Sequence, residues 1–423
     1  MTNEIKLKNK TVDNKNMFLF LTGKFVSLFG TNIYAFAIGL HLLKLTGSGM
    51  SFSLNFALNI IPRILLGPLA GVISDRFDKK KLVVITDMLS GLLLVMLFIL
   101  SQVNSLNIVS IYITTTLLTS LNTIFGIAFT SSLPNLVNDK NLVKINSYNT
   151  SINSFTNIFG PIVGGLVYGL FSIKFIILIN GLSFILSSIS EYMIDFDAYK
   201  SQDNSIQSPS EYKASMLSEI KEGLNYIRQK KAFFTLYLTF PIINFLFNSS
   251  SITLPYITVH QLMLPSKVVG IIQGSCACGM LIMSLVFSYL PEIKRIGLII
   301  GFSTMSIGIL ISLTGLPVSG LFDVKSLMFY SIYFCTIKLI IGLLLVLINL
   351  PLSLTLQRET PENYRGRVFG TLETISSIIT PLGCIIFGLL LDIIPSYLIV
   401  AVSGGLTIII GTIIACNKTL HKI

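Results

Sequence analysis

An all-α integral membrane protein, with twelve transmembrane helices in two pseudo-symmetric six-helix bundles, is the fold class this sequence predicts. Three observations predict it. Of the 423 residues, 52% are hydrophobic and only 12% charged, with a mean hydropathy of +0.79 and no Trp, whereas a soluble chain carries about 25% charged residues. The apolar residues collect in stretches of about 20, the length that crosses ~30 Å of hydrocarbon at ~1.5 Å per residue. The polar segments between them carry their cations on alternate sides.

Read in order, the expected spans lie near 17–44, 50–73, 82–101, 108–131, 148–171, 175–195, 232–258, 268–290, 296–317, 326–350, 368–391 and 395–416. With a cytoplasmic N-terminus, the inner segments are 1–16, 74–81, 132–147, 196–231, 291–295, 351–367 and the tail, and they hold 23 of the 30 Lys and Arg. The outer side holds Lys44, Lys174, Lys267 and Lys325, while Lys24, Arg63 and Lys338 fall within spans. Cations close to span ends set orientation, so both termini are expected in the cytoplasm of a bacterial cell. The net charge of +11 is then a topological signal. Nucleic-acid binding would need those cations gathered on one face, and they are dispersed over seven segments.

The first 16 residues are polar and Lys-rich, and the apolar run after them is too long for a signal-peptide core, so an uncleaved first span is expected. The five cysteines (Cys276, Cys278, Cys335, Cys384 and Cys416) all fall inside spans. Cys276 and Cys278, two apart on a helix, point about 200° from each other. Neither a disulfide, a metal site nor a cofactor is expected.

The longest polar stretch, 196–231, divides the chain into a bundle over 1–195, a linker, and a bundle over 232–423. Within the linker, Leu217, Ile220, Leu224 and Ile227 keep helical spacing while Lys221, Glu222 and Arg228 face elsewhere, the pattern of an amphipathic helix at the membrane surface. Faint repetition supports two halves: His41 and His260, Asp75 and Glu292, and Pro161 and Pro381 recur at nearly constant offset.

Between spans two and three stands Gly71-Val72-Ile73-Ser74-Asp75-Arg76-Phe77-Asp78-Lys79-Lys80-Lys81. It resembles the signature loop of the major facilitator superfamily, with Asp78 where that family has Gly. Asp is among the residues that best tolerate the left-handed geometry such a turn implies. The resemblance implies a cytoplasmic gate of Gly71, Asp75, Arg76, Arg365 and Arg367, with the Asp75 carboxylate set against the start of span eleven and pairing with Arg367 or Arg365. Span five carries Gly160-Pro161-Ile162-Val163-Gly164-Gly165, similar to the antiporter element of the exporter branches, with Thr156 replacing a preceding Gly. There the element lies at the seam between halves and suppresses leak.

Further segments strengthen the likeness to the macrolide-efflux-type drug:proton antiporters. They are Gln357 to Gly370, Ser132-Leu133-Pro134-Asn135-Leu136-Val137, Thr46-Gly47-Ser48 and Lys221 to Ile227. The resemblance covers nearly the whole chain.

Ionisable groups within hydrocarbon are costly and face a cavity or a partner. Arg63, Asp87, Lys338 and Glu373 are the candidates for proton coupling or cavity charge, with pairings Arg63–Asp87 and Lys338–Glu373 conceivable. Glu191 and Asp195 sit at the cytoplasmic end of span six, where solvation is expected, and Asp392 is expected to meet external water. Span four holds no Arg or Lys, unlike other drug-antiporter branches. Asn32, Tyr34 and Phe36 in span one, with Asn244, Phe247 and Asn248 in span seven, are the expected substrate-cavity residues.

No phosphate-binding loop, His-Glu-x-x-His or Gly-x-Ser-x-Gly appears, so an enzyme is not expected. The leading expectation is a monomeric secondary exporter of amphipathic, drug-like, macrolide-type compounds in exchange for protons, with the bilayer as its surroundings. Transport of a siderophore, peptide or metabolite, and a non-transporting membrane sensor, are the alternatives.

Overall fold

A computed structural model of the chain describes residues 2–103, 106–199, 231–287, 289, 295–320 and 326–417. Among the described residues the protein is helical, with no strand. The helices are α1 (Thr2–Thr46), α2 (Gly49–Leu58), α3 (Ile61–Arg76), α4 (Lys79–Val103), α5 (Ile108–Ser131), α6 (Leu133–Leu136), α7 (Asp139–Leu170), α8 (Ile173–Tyr192), α9 (Lys231–Pro255), α10 (Ser266–Phe287), α11 (Ile296–Leu313), α12 (Leu327–Glu359), α13 (Glu362–Ile393) and α14 (Ser396–Cys416). A π-helical turn, Tyr256–Gln261, prolongs α9.

Eleven spans among the described residues are long and apolar enough to cross a bilayer. The expected fifth span is also a helix, the 32-residue α7, whose apolar character is diluted by Asn149, Asn153, Asn157 and their Ser and Thr neighbours. The expected second span is broken: α2 ends at Leu58 and α3 begins at Ile61, with Pro62 in its first turn, where a missing N–H costs nothing. Two expected inner loops are largely helix. Residues 132–147 form α6 and the start of α7, and 351–367 continue α12 and open α13 around a short turn at Thr360 and Pro361. The expected amphipathic helix of the linker lies outside the described residues.

Contacts divide the chain into two compact units, Met1–His41 with Leu58–Ser210, and Leu42–Ala57 with Glu211–Ile423. In the first, the buried Asn16 side chain donates to the Leu136 carbonyl (2.9 Å) and the Asp195 carbonyl (3.0 Å) and accepts from the Asp195 N–H (3.1 Å). Beside it, Phe20, Phe129, Leu136, Ile145 and Ile194 close an apolar core. Capping is local chemistry. Asn138 begins α7 by accepting from the Asn141 N–H (3.1 Å), and Ser172 begins α8 by accepting from Phe175 (3.3 Å), each satisfying an N–H that a helix start leaves over.

In the second unit, the Asp392 carboxylate does more than meet solvent. It accepts from Ser48 Oγ (2.6 Å), the Gly49 N–H (2.7 Å) and the Met50 N–H (3.3 Å), and so caps α2, a charge-assisted arrangement favoured by the helix dipole. Gly47 turns the chain ahead of it with φ +66°, and a Cβ there would meet the His260 ring at 2.9 Å. Small residues let the membrane helices touch. A Cβ at Gly308 of α11 would lie 2.6 Å from the Gly404 carbonyl of α14, and one at Gly342 of α12 would overlap the Cys276 carbonyl of α10. Close backbone approach of this kind is one source of helix attraction in lipid, through van der Waals packing.

Replacing Gly308 by Val should therefore cost on the order of 1–3 kcal/mol through overpacking, read as a fall of several degrees in the melting temperature in detergent. Gly126→Ala, where nothing lies within 4 Å of the added Cβ, should leave it unchanged.

Candidate functional site

Within the first unit, α1 and α8 share a polar seam. On α8, Asn180, Ser183, Ser187 and Glu191 recur every three or four residues, so one face is polar along three turns. On α1, Gly23, Ser27 and Gly30 form the facing strip: a Cβ at Gly23 would meet Ser187 Oγ (3.1 Å) and Glu191 Oε1 (3.6 Å), and one at Gly30 would overlap Asn180 Oδ1. Gly in both places lets the backbones close on the polar side chains.

Asp87 of α4 and Glu191 of α8 are both 0% exposed. Ser27 Oγ donates to Asp87 Oδ2 (3.0 Å), and Ser187 Oγ donates to Glu191 Oε1 (3.1 Å). Their other oxygens, Asp87 Oδ1 and Glu191 Oε2, are buried with no hydrogen-bond partner among the described residues. One turn along α1, the buried Lys24 ammonium donates to Asn149 Oδ1 of α7.

The expected charge pairs fare differently. Arg63 is exposed on α3 while Asp87 is fully enclosed, so the Arg63–Asp87 pair is not formed; Asp87 turns instead to two hydroxyl-bearing helices. Glu191, expected to be solvated, is buried because α1 covers the C-terminal end of α8; Asp195 is exposed as expected. Lys338 is buried on α12 at 3% exposure, next to Cys276 of α10. The side chain of Glu373, like those of Arg365 and Arg367, lies outside the described residues, although α13 carries all three.

At the expected gate, Gly71 lies on α3 and Asp75 and Arg76 are exposed at its end. Asp78 is explained by capping: its Oδ1 accepts from the Lys81 N–H (3.0 Å) at the start of α4, a favoured role for Asp. The expected left-handed turn is absent, since Met263 is the one non-Gly residue with positive φ among the described residues. Ser74 bonds Ser131 (2.9 Å), and Lys79 donates to the Ser131 carbonyl (2.9 Å), which ties this turn to the end of α5.

The antiporter element packs against α1 inside the same unit. A Cβ at Gly160 would overlap Asn32 Cβ, and one at Gly164 would meet the Ile33 carbonyl at 2.9 Å and Phe36 Cβ at 3.3 Å. Gly165 is buried and Pro161 lies inside α7. Phe36 and Tyr34, expected at a cavity, are therefore packing residues at 6% and 2% exposure, with Tyr34 beside Thr115 of α5. Asn32 donates to Asn157 of α7 (3.3 Å). In the second unit, Asn248 donates to the Asn244 carbonyl (2.9 Å) and lies against Gly383 of α13, and Phe247 joins the core around Ile243 and Leu352.

A groove of about 420 Å³ runs between α1 and α7, lined by Leu21, Phe25, Tyr148, Ser151, Ile152 and Phe155. That volume suits a small organic molecule. Its aromatic wall is continuous: Phe25 stacks on Phe29 (5.3 Å between centroids), Phe155 lies 5.8 Å from Phe25, and Phe155 stacks on Phe159 (4.4 Å). Glu191, Lys24 and this groove are what sequence reasoning missed. The signal for Glu191 was present in the three-to-four-residue recurrence of polar side chains along α8.

The sequence matches the Major Facilitator Superfamily over residues 20–384. It is 27% identical over 403 residues to Macrolide efflux protein A of Streptococcus pyogenes, covering 95% of each chain. It is 25% identical over 417 residues to the uncharacterized MFS-type transporter YfiS of Bacillus subtilis, covering 97% of this chain and 95% of the relative. The fold resembles that of the nucleoside transporter NupG, with a TM-score of 0.67 at 12% identity over 94% of this chain and 98% of the other. It equally resembles an inward-facing bacterial homologue of the iron transporter ferroportin, with a TM-score of 0.67 at 18% identity over 95% and 98% of the two chains.

Gly160→Leu should force α7 off α1, lowering the melting temperature by several degrees and abolishing transport, because the added atoms meet Asn32 rather than open space. Unchanged melting and transport would show that the contact is dispensable.

Proposed function

The chain belongs to the Major Facilitator Superfamily, and from that premise we propose that it is a secondary exporter, moving amphipathic, drug-like compounds of the macrolide type outward in exchange for protons by alternating access. The observation that carries this reading is on α1. Phe25 and Ser27, two residues apart, point about 200° from each other: Phe25 lines the aromatic groove, and Ser27 holds the buried Asp87 carboxylate. A compound resting on one side of α1 and a proton taken up on the other act on the same helix. Macrolide efflux proteins among its relatives support the substrate class, and aromatic faces with few fixed polar groups suit lipophilic molecules of varied shape.

In this reading the exporter is a monomer in a bacterial cell membrane, with both termini in the cytoplasm, as the Lys and Arg distribution favours. Its halves, 1–195 and 232–423, are joined by an interfacial linker at 196–231. Asp87 is the proton carrier. Gly71, Asp75 and Arg76, with Arg365 and Arg367, serve the cytoplasmic gate, while Lys338 and Glu373 supply charge to the second half.

Inverted membrane vesicles with an imposed proton gradient and a panel of lipophilic compounds test the proposal. Accumulation should be abolished by an uncoupler. The double variant Phe25→Ala/Phe155→Ala should accumulate about tenfold less, the loss expected for about 1.4 kcal/mol of aromatic contact. Asp87→Asn should lose gradient-driven accumulation while keeping exchange of bound compound across the membrane. Full gradient-driven accumulation by Asp87→Asn would overturn the proton assignment.

A further inference from the structure

We infer that Glu191 and Asp87 form one proton-binding site, a buried carboxyl pair that shares a proton across the α4–α8 contact and is read by α1 through Ser27. The inference rests on the exporter reading only for its role in transport. The pair itself follows from geometry.

Both side chains are completely enclosed, on helices that pack directly against each other: a Cβ at Gly91 of α4 would lie 2.8 Å from the Gly181 carbonyl of α8. Ser187, which donates to Glu191, also reaches Asp87, and Glu191 feels the Asp87 charge. Ser187 and Glu191 lie against Gly23, one turn along α1 from the Ser27 that holds Asp87, so the two carboxyls flank the same stretch of α1. An ionised carboxylate is acceptor-only. Two ionised groups here would leave Asp87 Oδ1 and Glu191 Oε2 as buried acceptors without donors, and would place like charges together in hydrocarbon, where both cannot ionise. A proton on either carboxyl turns one orphan acceptor into a donor and removes one charge.

The surrounding cations are engaged elsewhere. Lys24 of α1 is bonded to Asn149, Lys79 to the Ser131 carbonyl, and Lys80 lies over the Tyr192 ring at 5.0 Å. Lys81 is exposed, as are Arg63, Asp75 and Arg76 of α3. Lys144 of α7 sits over Tyr148, and α5 contains no Asp, Glu, Lys or Arg.

The site has a direct mechanical reader. When Asp87 is ionised, the Ser27 hydroxyl holds it through a charge-assisted bond; when it is neutral, through an ordinary and weaker one. Each cycle breaks one carboxyl O–H bond and passes the proton to water on the side of lower proton concentration. The pair is refilled by a proton from water on the other side. α1, which also lines the aromatic groove, is held more tightly in one state than in the other.

Infrared titration of the purified full-length protein, following the carboxylic-acid C=O band without substrate, tests the pair. Two interacting carboxyls titrate in two macroscopic steps. In the part of the band that the double variant Asp87→Asn/Glu191→Gln removes, wild type should show two steps, and Glu191→Gln and Asp87→Asn should each leave one. Ser187→Ala, which keeps both carboxyls, should move at least one midpoint, and Asp195→Asn, an exposed control, should lose only its own titration and leave both of those steps in place. A single wild-type step, or a Glu191→Gln titration identical to wild type, would overturn the pair. If the pair titrates as expected but vesicles export nothing, the exporter reading falls and the pair stands. If Glu191→Gln exports with the full gradient dependence of wild type, the role of the pair in transport falls and the exporter stands.

Discussion

A backbone or side-chain polar group in hydrocarbon must find its partner inside the protein, and in the first unit one helix supplies several of the side-chain partners. Along α1, Asn16 secures the turns after α6 and α8, Lys24 meets Asn149, Ser27 meets Asp87, and Asn32 meets Asn157. Gly23 and Gly30 bring α8 close, and Asn32, Ile33 and Phe36 receive the glycines of α7. Each contact is modest, about 1 kcal/mol for a typical hydrogen bond. Losing one partner is dearer, because the other is then stranded in a medium with no water to replace it. α1 is consequently both the structural hub of the unit and the element on which groove and carboxylates converge.

The second unit solves the same problem with less polarity. Its helices meet through Gly301, Gly308, Gly404 and Gly411 on α11 and α14, and through Gly279 and Gly342 on α10 and α12, so that backbone contact replaces side-chain bonding. The side-chain contacts described at one end of it join distant segments of the chain: Asp392 caps α2, Lys44 donates to Ser266 (2.7 Å), and Ser396 donates to Gln261 (2.7 Å). An asymmetry follows between the halves of a pseudo-symmetric fold. The buried carboxyl chemistry among the described residues lies in the first unit, and the second carries Lys338 beside Cys276.

Motif-level likeness and physical role separate at several residues. Asp78 departs from the family Gly and caps α4 with a carboxylate oxygen that a glycine lacks. The antiporter element keeps its glycines, and their immediate purpose here is contact with α1. Tyr34 and Phe36 looked like lumen residues because aromatic side chains on a cavity-lining helix are attractive candidates. Both are buried, and the half-buried aromatic face lies one to three turns earlier, at Phe25 and Phe29.

What the amino-acid order determined by itself is the membrane class, the positions of the spans within a few residues, and the family, because hydropathy, span length and loop motifs are properties of contiguous sequence. Only the tertiary structure decided which polar groups meet. Arg63 and Asp87 are opposite charges on successive spans yet face different surroundings, and Glu191, one residue from the end of α8, is sealed by a helix more than 150 residues earlier in the chain. Depth can be counted along one helix. Facing and burial depend on the neighbours that packing supplies, and a single helix contains no record of them beyond the recurrence of its polar side chains.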